Sequence, residues 1–234
     1  MSNIYIGVGH GGRDGGTEGH GLKESEVVLD IALACRDYLQ AANQTVTISR
    51  TDDRYMSLYE KSAQANALPR DAVVEIHCNA ANKTAQGFEA FYQSKSEESK
   101  KLAAAIEACV KEIGQNSRGI KTSLLSNGQD YYHMVREVKY PATLIECAFL
   151  DSEDYLKVST FAKRQTMGIA IAKGILNYLG KPIPKEPTAT PGTPGKKVRY
   201  IVQVGAFSSK EQAEIYKRQI EKYGIQAIIK TMEV

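Results

Sequence analysis

No run of eighteen apolar residues occurs in the 234-residue sequence, so no helix is expected to cross a membrane. The first residues enter a strand pattern at once, with neither a charged leading segment nor a cleavable apolar one. The expectation is therefore a polypeptide made in the cytoplasm without a signal peptide. The four cysteines (Cys35, Cys78, Cys109 and Cys147) form no CxxC pair and no dense framework. That argues against disulfides. Cys35 and Cys109 lie on helical apolar faces, where a free thiol packs as a small hydrophobe. Strong charge is missing as well, since the net value is only +3. Its placement is uneven: residues 181–234 hold ten Lys and Arg against five Asp and Glu, while residues 1–180 hold twenty against twenty-two. A basic tail on a near-neutral body suits an anionic partner such as a wall polymer, a membrane surface or nucleic acid, or it is simply a solvated surface.

What is present is alternation of strands and helices. Ile4, Ile6 and Val8 alternate along a strand that ends in Gly9-His10-Gly11-Gly12. Glycines there allow a sharp turn and leave room beside an imidazole. Lys23 to Ala41 has the helical stripe Val27, Ile31, Ala34 and Tyr38, with Glu24 and Glu26 in its first turn, where negative charge suits the helix dipole. Thr45–Arg50 reads as a strand, and Ser57-Leu58-Tyr59-Glu60 as a capping box opening a helix that ends before Pro69. Ala72–His77 is a nearly continuous apolar run of buried-strand type, and Phe88–Tyr92 alternates as a further strand. Ser96 caps a helix stopped by Gly114, residues 115–133 read as a long polar loop, and Ala142–Cys147 is another buried strand. Met167, Ile171, Ile175 and Tyr178 mark a closing helix.

This order predicts an α/β fold, a largely parallel twisted sheet with helices on both faces. Residues 1–180 form that domain. Residues 181–196 hold most of the chain's seven prolines and read as a semi-rigid linker. Residues 197–234 give a small βαβ half-domain, with strands over 200–207 and 225–230, a helix over 210–223, and Ser208 or Ser209 as its cap. Such a unit is below the size at which one core is usually stable.

In sheets of this kind functional groups gather at the carboxyl ends of strands. His10, His77 and Glu146 all fall there, and Glu24 opens a helix beside them. His10, Glu24 and His77 have the composition of a catalytic zinc site, two imidazoles and a carboxylate with a coordination position left for water. Glu146, a carboxylate on a core strand, is the group left over to move protons. Each residue has a plainer reading: a loop histidine, a dipole-friendly glutamate. His20 is an alternative ligand, and His133 lines a groove or faces solvent. Cys78 and Cys147 follow His77 and Glu146, so alternation turns them the other way, against a cysteine-nucleophile reading. The residues alone support metal-assisted hydrolysis of an amide or ester.

Five segments in order resemble the zinc-dependent N-acetylmuramoyl-L-alanine amidases of the amidase type 3 family. They are Gly9-His10-Gly11-Gly12, Gly21-Leu22-Lys23-Glu24, Glu75-Ile76-His77-Cys78-Asn79-Ala80, Ser117-Arg118-Gly119-Ile120-Lys121 and Tyr140 to Leu150. The resemblance implies one zinc per chain on His10, Glu24 and His77, and Glu146 as general base and acid. The reaction implied is cleavage of the amide between N-acetylmuramic acid and L-alanine in peptidoglycan. It further implies substrate contacts from Arg136 and Asn79. Glu75 departs from the family's usual small polar residue, and is either a carboxylate that orients an imidazole or a salt-bridged structural one. Tyr200–Phe207 resembles the start of a SPOR peptidoglycan-binding domain at about half its usual length, which suggests a homodimer completing one sheet, or a vestige. The expected partner is then peptidoglycan rather than nucleic acid. The expected setting is a lytic enzyme of a bacterium or its phage, reaching the wall after release. Two rivals stay open: a zinc peptidase acting within the stem peptide, and a non-catalytic wall-binding protein.

Overall fold

The computed structural model describes residues 1–184, 209–221 and 229. Two units are present, Met1–Pro184 and Lys185–Val234. The first runs β1 (Asn3–Val8), β2 (Glu18–Gly19), β3 (Leu22–Lys23), α1 (Glu24–Ala41), β4 (Thr45–Ile48), α2 (Leu58–Asn66), β5 (Ala72–Asn79) and β6 (Phe88–Tyr92). It continues through α3 (Glu97–Glu112), β7 (Ser117–Lys121), α4 (His133–Glu137), β8 (Ala142–Phe149), a 3-10 turn (Glu153–Lys157) and α5 (Phe161–Tyr178).

Six strands form one sheet in the order β4-β1-β5-β8-β6-β7, and β2 pairs with β3 as a separate small ribbon. All neighbours in the sheet are parallel except β6 and β8, which are antiparallel. The sheet is therefore mixed but mainly parallel. Strand alternation sorts its residues cleanly. Ile4, Ile6, Val8, Val74, Ile76, Ile145 and Cys147 join the main core with α1, α3 and α5. Tyr5, Val73 and Ala142 turn to the opposite face and pack on Ala65 of α2 and on Met134 and Val138 at α4. Among the described residues, that second face carries a nine-residue and a five-residue helix. His77, Glu146 and Glu89 share its parity, so the chemistry lies on the thinly covered side.

Caps follow the local chemistry. Ser57 and Glu60 form a reciprocal capping box, Ser96 accepts from the Ser99 N–H, and Thr160 accepts from the Lys163 N–H. Residues 115–133 are not one long loop. They contain β7, an edge strand whose half-exposed polar residues and Gly119, at φ +91°, hide the strand pattern. All four cysteines are free and buried. No described helix is long and apolar enough to cross a membrane.

In the second unit α6 (Lys210–Glu221) is described, and the Gln212 N–H donates to Ser209 Oγ at 3.2 Å, which identifies Ser209 as its cap. The expected linker from 185 onward, the strands over 200–207 and 225–230, and the dimer they were expected to build lie outside the described residues.

Candidate metal centre and active site

Three elements deliver the donor set. The turn after β1 brings His10, the first residue of α1 is Glu24, and β5 carries His77 near its end. One ligand atom from each lies within 4.8 Å of the others. Glu24 is the hub: its Oε2 is 3.2 Å from His10 Nε2 and its Oε1 is 3.0 Å from His77 Nδ1. Backbone N–H groups of Thr17 and Cys78 donate to the same two oxygens at 2.9 Å each, fixing the carboxylate plane. The imidazole rings stand edge to face, with centroids 5.0 Å apart.

The glycines of this loop are required by close approach. A Cβ on Gly9 would sit 2.7 Å from His77 Nδ1 and Cε1. One on Gly16 would sit 2.5 Å from Glu24 Oε2 and 2.7 Å from His10 Cδ2. The space kept by Gly9 is thus used by His77, not by the histidine next to it. His10 itself has φ +54°, a left-handed backbone conformation that functional residues hold at some cost.

Electrostatics bind the set together. Burial would raise the Glu24 pKa, but hydrogen bonds and charge from His10 and His77 hold it far below the ordinary carboxylate range. Burial would lower His77, yet its contacts with Glu24 and Glu75 raise it to about 10. His10 is raised in the same way, burial being outweighed by Glu24. Asp14, unremarked in the sequence, stands 2.9 Å from His10 Nδ1. Glu75 is buried between Lys61 Nζ at 3.4 Å and His77 Nε2 at 3.8 Å, so it is both ion-paired and beside the imidazole. Two buried charges of opposite sign under the His77 ring are a costly arrangement unless they hold it in place.

Glu146 pairs with His77 across β5 and β8, which puts it on the same face one strand away. It is 8% exposed and its Oε2 has no hydrogen-bond partner. Burial, with the negative charges of Glu24 and Glu89 added, raises its pKa to about 7 against the pull of His77 and His10. A carboxylate poised there takes up and gives back a proton near neutrality.

Across the antiparallel pair, Glu89 of β6 lies directly opposite Glu146. Sequence reasoning passed over it because a single Glu on an alternating strand reads as a solvent-facing residue, yet it is 6% exposed. Asn79 donates to its Oε2 at 3.1 Å, which ties that amide to the row of carboxylates. The guanidinium of Arg136, on α4, donates to the carbonyls of Asp130 and Tyr131 and to Glu137, bracing the loop before β8. His20 is not brought to the trio. It stacks on Tyr155 at 4.1 Å and lines a separate cavity of about 390 Å³ with Lys83 and Asp151. His133 Nε2 meets Ser62 Oγ at 3.1 Å.

The chain is 31% identical over 236 residues to a sporulation-specific N-acetylmuramoyl-L-alanine amidase of Bacillus subtilis, covering 98% of this chain and 84% of that protein. It is also 31% identical over 236 residues to an N-acetylmuramoyl-L-alanine amidase of Bacillus licheniformis, covering 98% and 85%. The crystal structure of an N-acetylmuramoyl-L-alanine amidase from Clostridium difficile superposes with a TM-score of 0.70 at 32% identity, over 76% of this chain and 97% of that one. Residues 196–233 match the family model of the SPOR domain. Residues 4–177 match that of N-acetylmuramoyl-L-alanine amidase, and it is to this family that the chain belongs.

Proposed function

We propose that this chain is a peptidoglycan hydrolase that cleaves the amide between N-acetylmuramic acid and the L-alanine of the stem peptide. One zinc ion held by His10, Glu24 and His77 is part of that reading. The observation that carries it is the buried Glu24, which turns one oxygen toward each imidazole while backbone N–H groups hold its other lone pairs. Once their protons are displaced, two imidazoles and one carboxylate form a donor set of the catalytic zinc type, with a coordination position left open. One ligand atom of each lies within 4.8 Å of the others, close enough to share one ion. Zinc bound there would lower the pKa of a water molecule and polarise the amide carbonyl.

The chain's own residues supply the rest. Glu146, desolvated and with an unpartnered oxygen, takes the proton from the attacking water and passes it to the nitrogen of the leaving L-alanine. Glu75, neutralised by Lys61, orients the His77 ring, and Asp14 does the same for His10. The polymer is read as approaching over the face of the sheet that carries the two short helices α2 and α4. Residues 1–180 are read as the catalytic domain and 197–234 as a wall-binding unit of SPOR type, joined by the segment 181–196. The named relatives, one of them sporulation-specific, suit a wall-lytic role after release from the cell that makes it.

New chain ends in digested, purified walls test the reading. Free L-alanine amino termini are expected. Amino termini only at later positions of the stem peptide would instead assign the chain as a peptidase using the same zinc site.

A further inference from the structure

Beyond Glu146 the row of charges on the open face continues outward and changes sign. It runs from His77 on β5 through Glu146 on β8 and Glu89 on β6 to Arg118 and Lys121 on the edge strand β7. Arg118 Nε donates to Glu89 Oε1 at 2.5 Å, and Lys121 Nζ donates to the same atom at 2.9 Å. Two cations thus share one oxygen of one buried carboxylate, leaving a net positive charge at the rim. Both are half-exposed, at 44% and 37% of their side-chain surface. Arg118 donates to Glu89 through Nε, and its guanidinium carbon lies 5.3 Å from the Phe149 ring, so the flat group is steadied.

Toward β1 the carboxylates Glu24 and Glu75 are balanced by His10, His77 and Lys61. The surplus positive charge at β7 draws an anionic chain lying over this face toward it. The dimensions agree. Neighbouring strands are about 4.8 Å apart, and an extended peptide advances about 3.5 Å per residue. The cations lean back over β6, one strand from Glu146, a span of one or two residues.

The geometry points to Arg118 and Lys121 as a binding site for a free carboxylate of the stem peptide, one or two residues beyond the amide that is cut. This rests on the muramoyl-peptide substrate proposed above. Glu89 is the residue that positions both cations, and the edge strand that carries them sets specificity by substrate charge. A planar guanidinium and an ammonium side by side match a carboxylate better than its neutral amide.

Purified walls, untreated or with their free carboxyls converted to amides by carbodiimide and ammonia, make the test. The zinc-loaded full chain is assayed for release of L-alanine amino termini against wall concentration. Amidation is expected to raise the half-saturating wall concentration of the wild type about tenfold with a smaller effect on the maximal rate. The double variant R118Q/K121M is expected to require the higher concentration on both substrates. Should removal of both cations strand the buried Glu89 charge and prevent folding, E89Q/R118Q/K121M carries no such charge and is expected to show the same loss of preference. Equal handling of both walls by the wild type overturns the proposal, as does a variant that keeps the wild-type preference. If untreated walls yield no L-alanine ends at all, the amidase reading itself fails, and the carboxylate site falls with it.

Discussion

At the scale of single residues, Glu146 shows how function and stability oppose each other. Its carboxyl is pushed up to about 7 chiefly by burial, from an ordinary value near 4.5. Because the folded-state value is raised, folding favours the protonated form. That contribution is complete below about pH 4.5 and is lost as pH rises through about 7. The shift corresponds to roughly 3 kcal/mol, at about 1.4 kcal/mol per pH unit. Urea unfolding of metal-free protein should therefore show Glu146→Gln gaining on the wild type between pH 4.5 and pH 8, by up to about 3 kcal/mol. A constant difference across that range would mean the carboxyl is not desolvated in the folded chain. His10, His77 and Glu146 were legible in the sequence, because a polar residue ending an apolar strand is a conspicuous break in pattern, whereas Glu24 stood out only as a carboxylate opening a helix beside them. Asp14 and Glu89 were not. Asp14 sits in a glycine-rich turn with no periodicity, and the burial of Glu89 depends on cross-strand neighbours that no local pattern records.

At the scale of elements, the loop from Gly9 to Gly21 and the strand β5 must be built together. Gly9 leaves the volume that the His77 ring fills, and its N–H donates to the Ile76 carbonyl at 3.0 Å. In Gly9→Ala the new methyl meets ring atoms at 2.7 Å, closer than carbon atoms tolerate, so His77 must move off its line to Glu24. Zinc affinity should fall at least about tenfold, the scale seen when groups that orient metal ligands are removed. Competition with a chelating dye measures it, and unchanged affinity would show that the ring has slack. Most elements followed from periodicity, with β6 matching its expected bounds of Phe88–Tyr92. The edge strand β7 did not, since a half-exposed strand interrupted at Gly119 has no apolar alternation. The antiparallel pairing of β6 with β8 is likewise invisible locally, because strand direction is set by how the chain returns to the sheet.

At the scale of the whole molecule, the chain divides at Pro184 into a unit with a complete core and a short basic one matched by the SPOR model. The core, the donor set and Glu146 all belong to the first unit. A chain ending at Pro184 should keep the wild-type rate on soluble muropeptides and lose rate on intact walls, where binding by the second unit raises local concentration. Loss of activity on soluble fragments would show instead that the second unit completes the catalytic one.

The central prediction is that Glu146 acts on water beside a metal held by His10, Glu24 and His77. Lysis of purified walls by Glu146→Gln, with zinc content measured on the same preparation, tests that most directly. The prediction is about one zinc per chain and a rate lowered by at least about 100-fold, the lower range for removing a general base. Wild-type lysis by a zinc-loaded Glu146→Gln protein would contradict it.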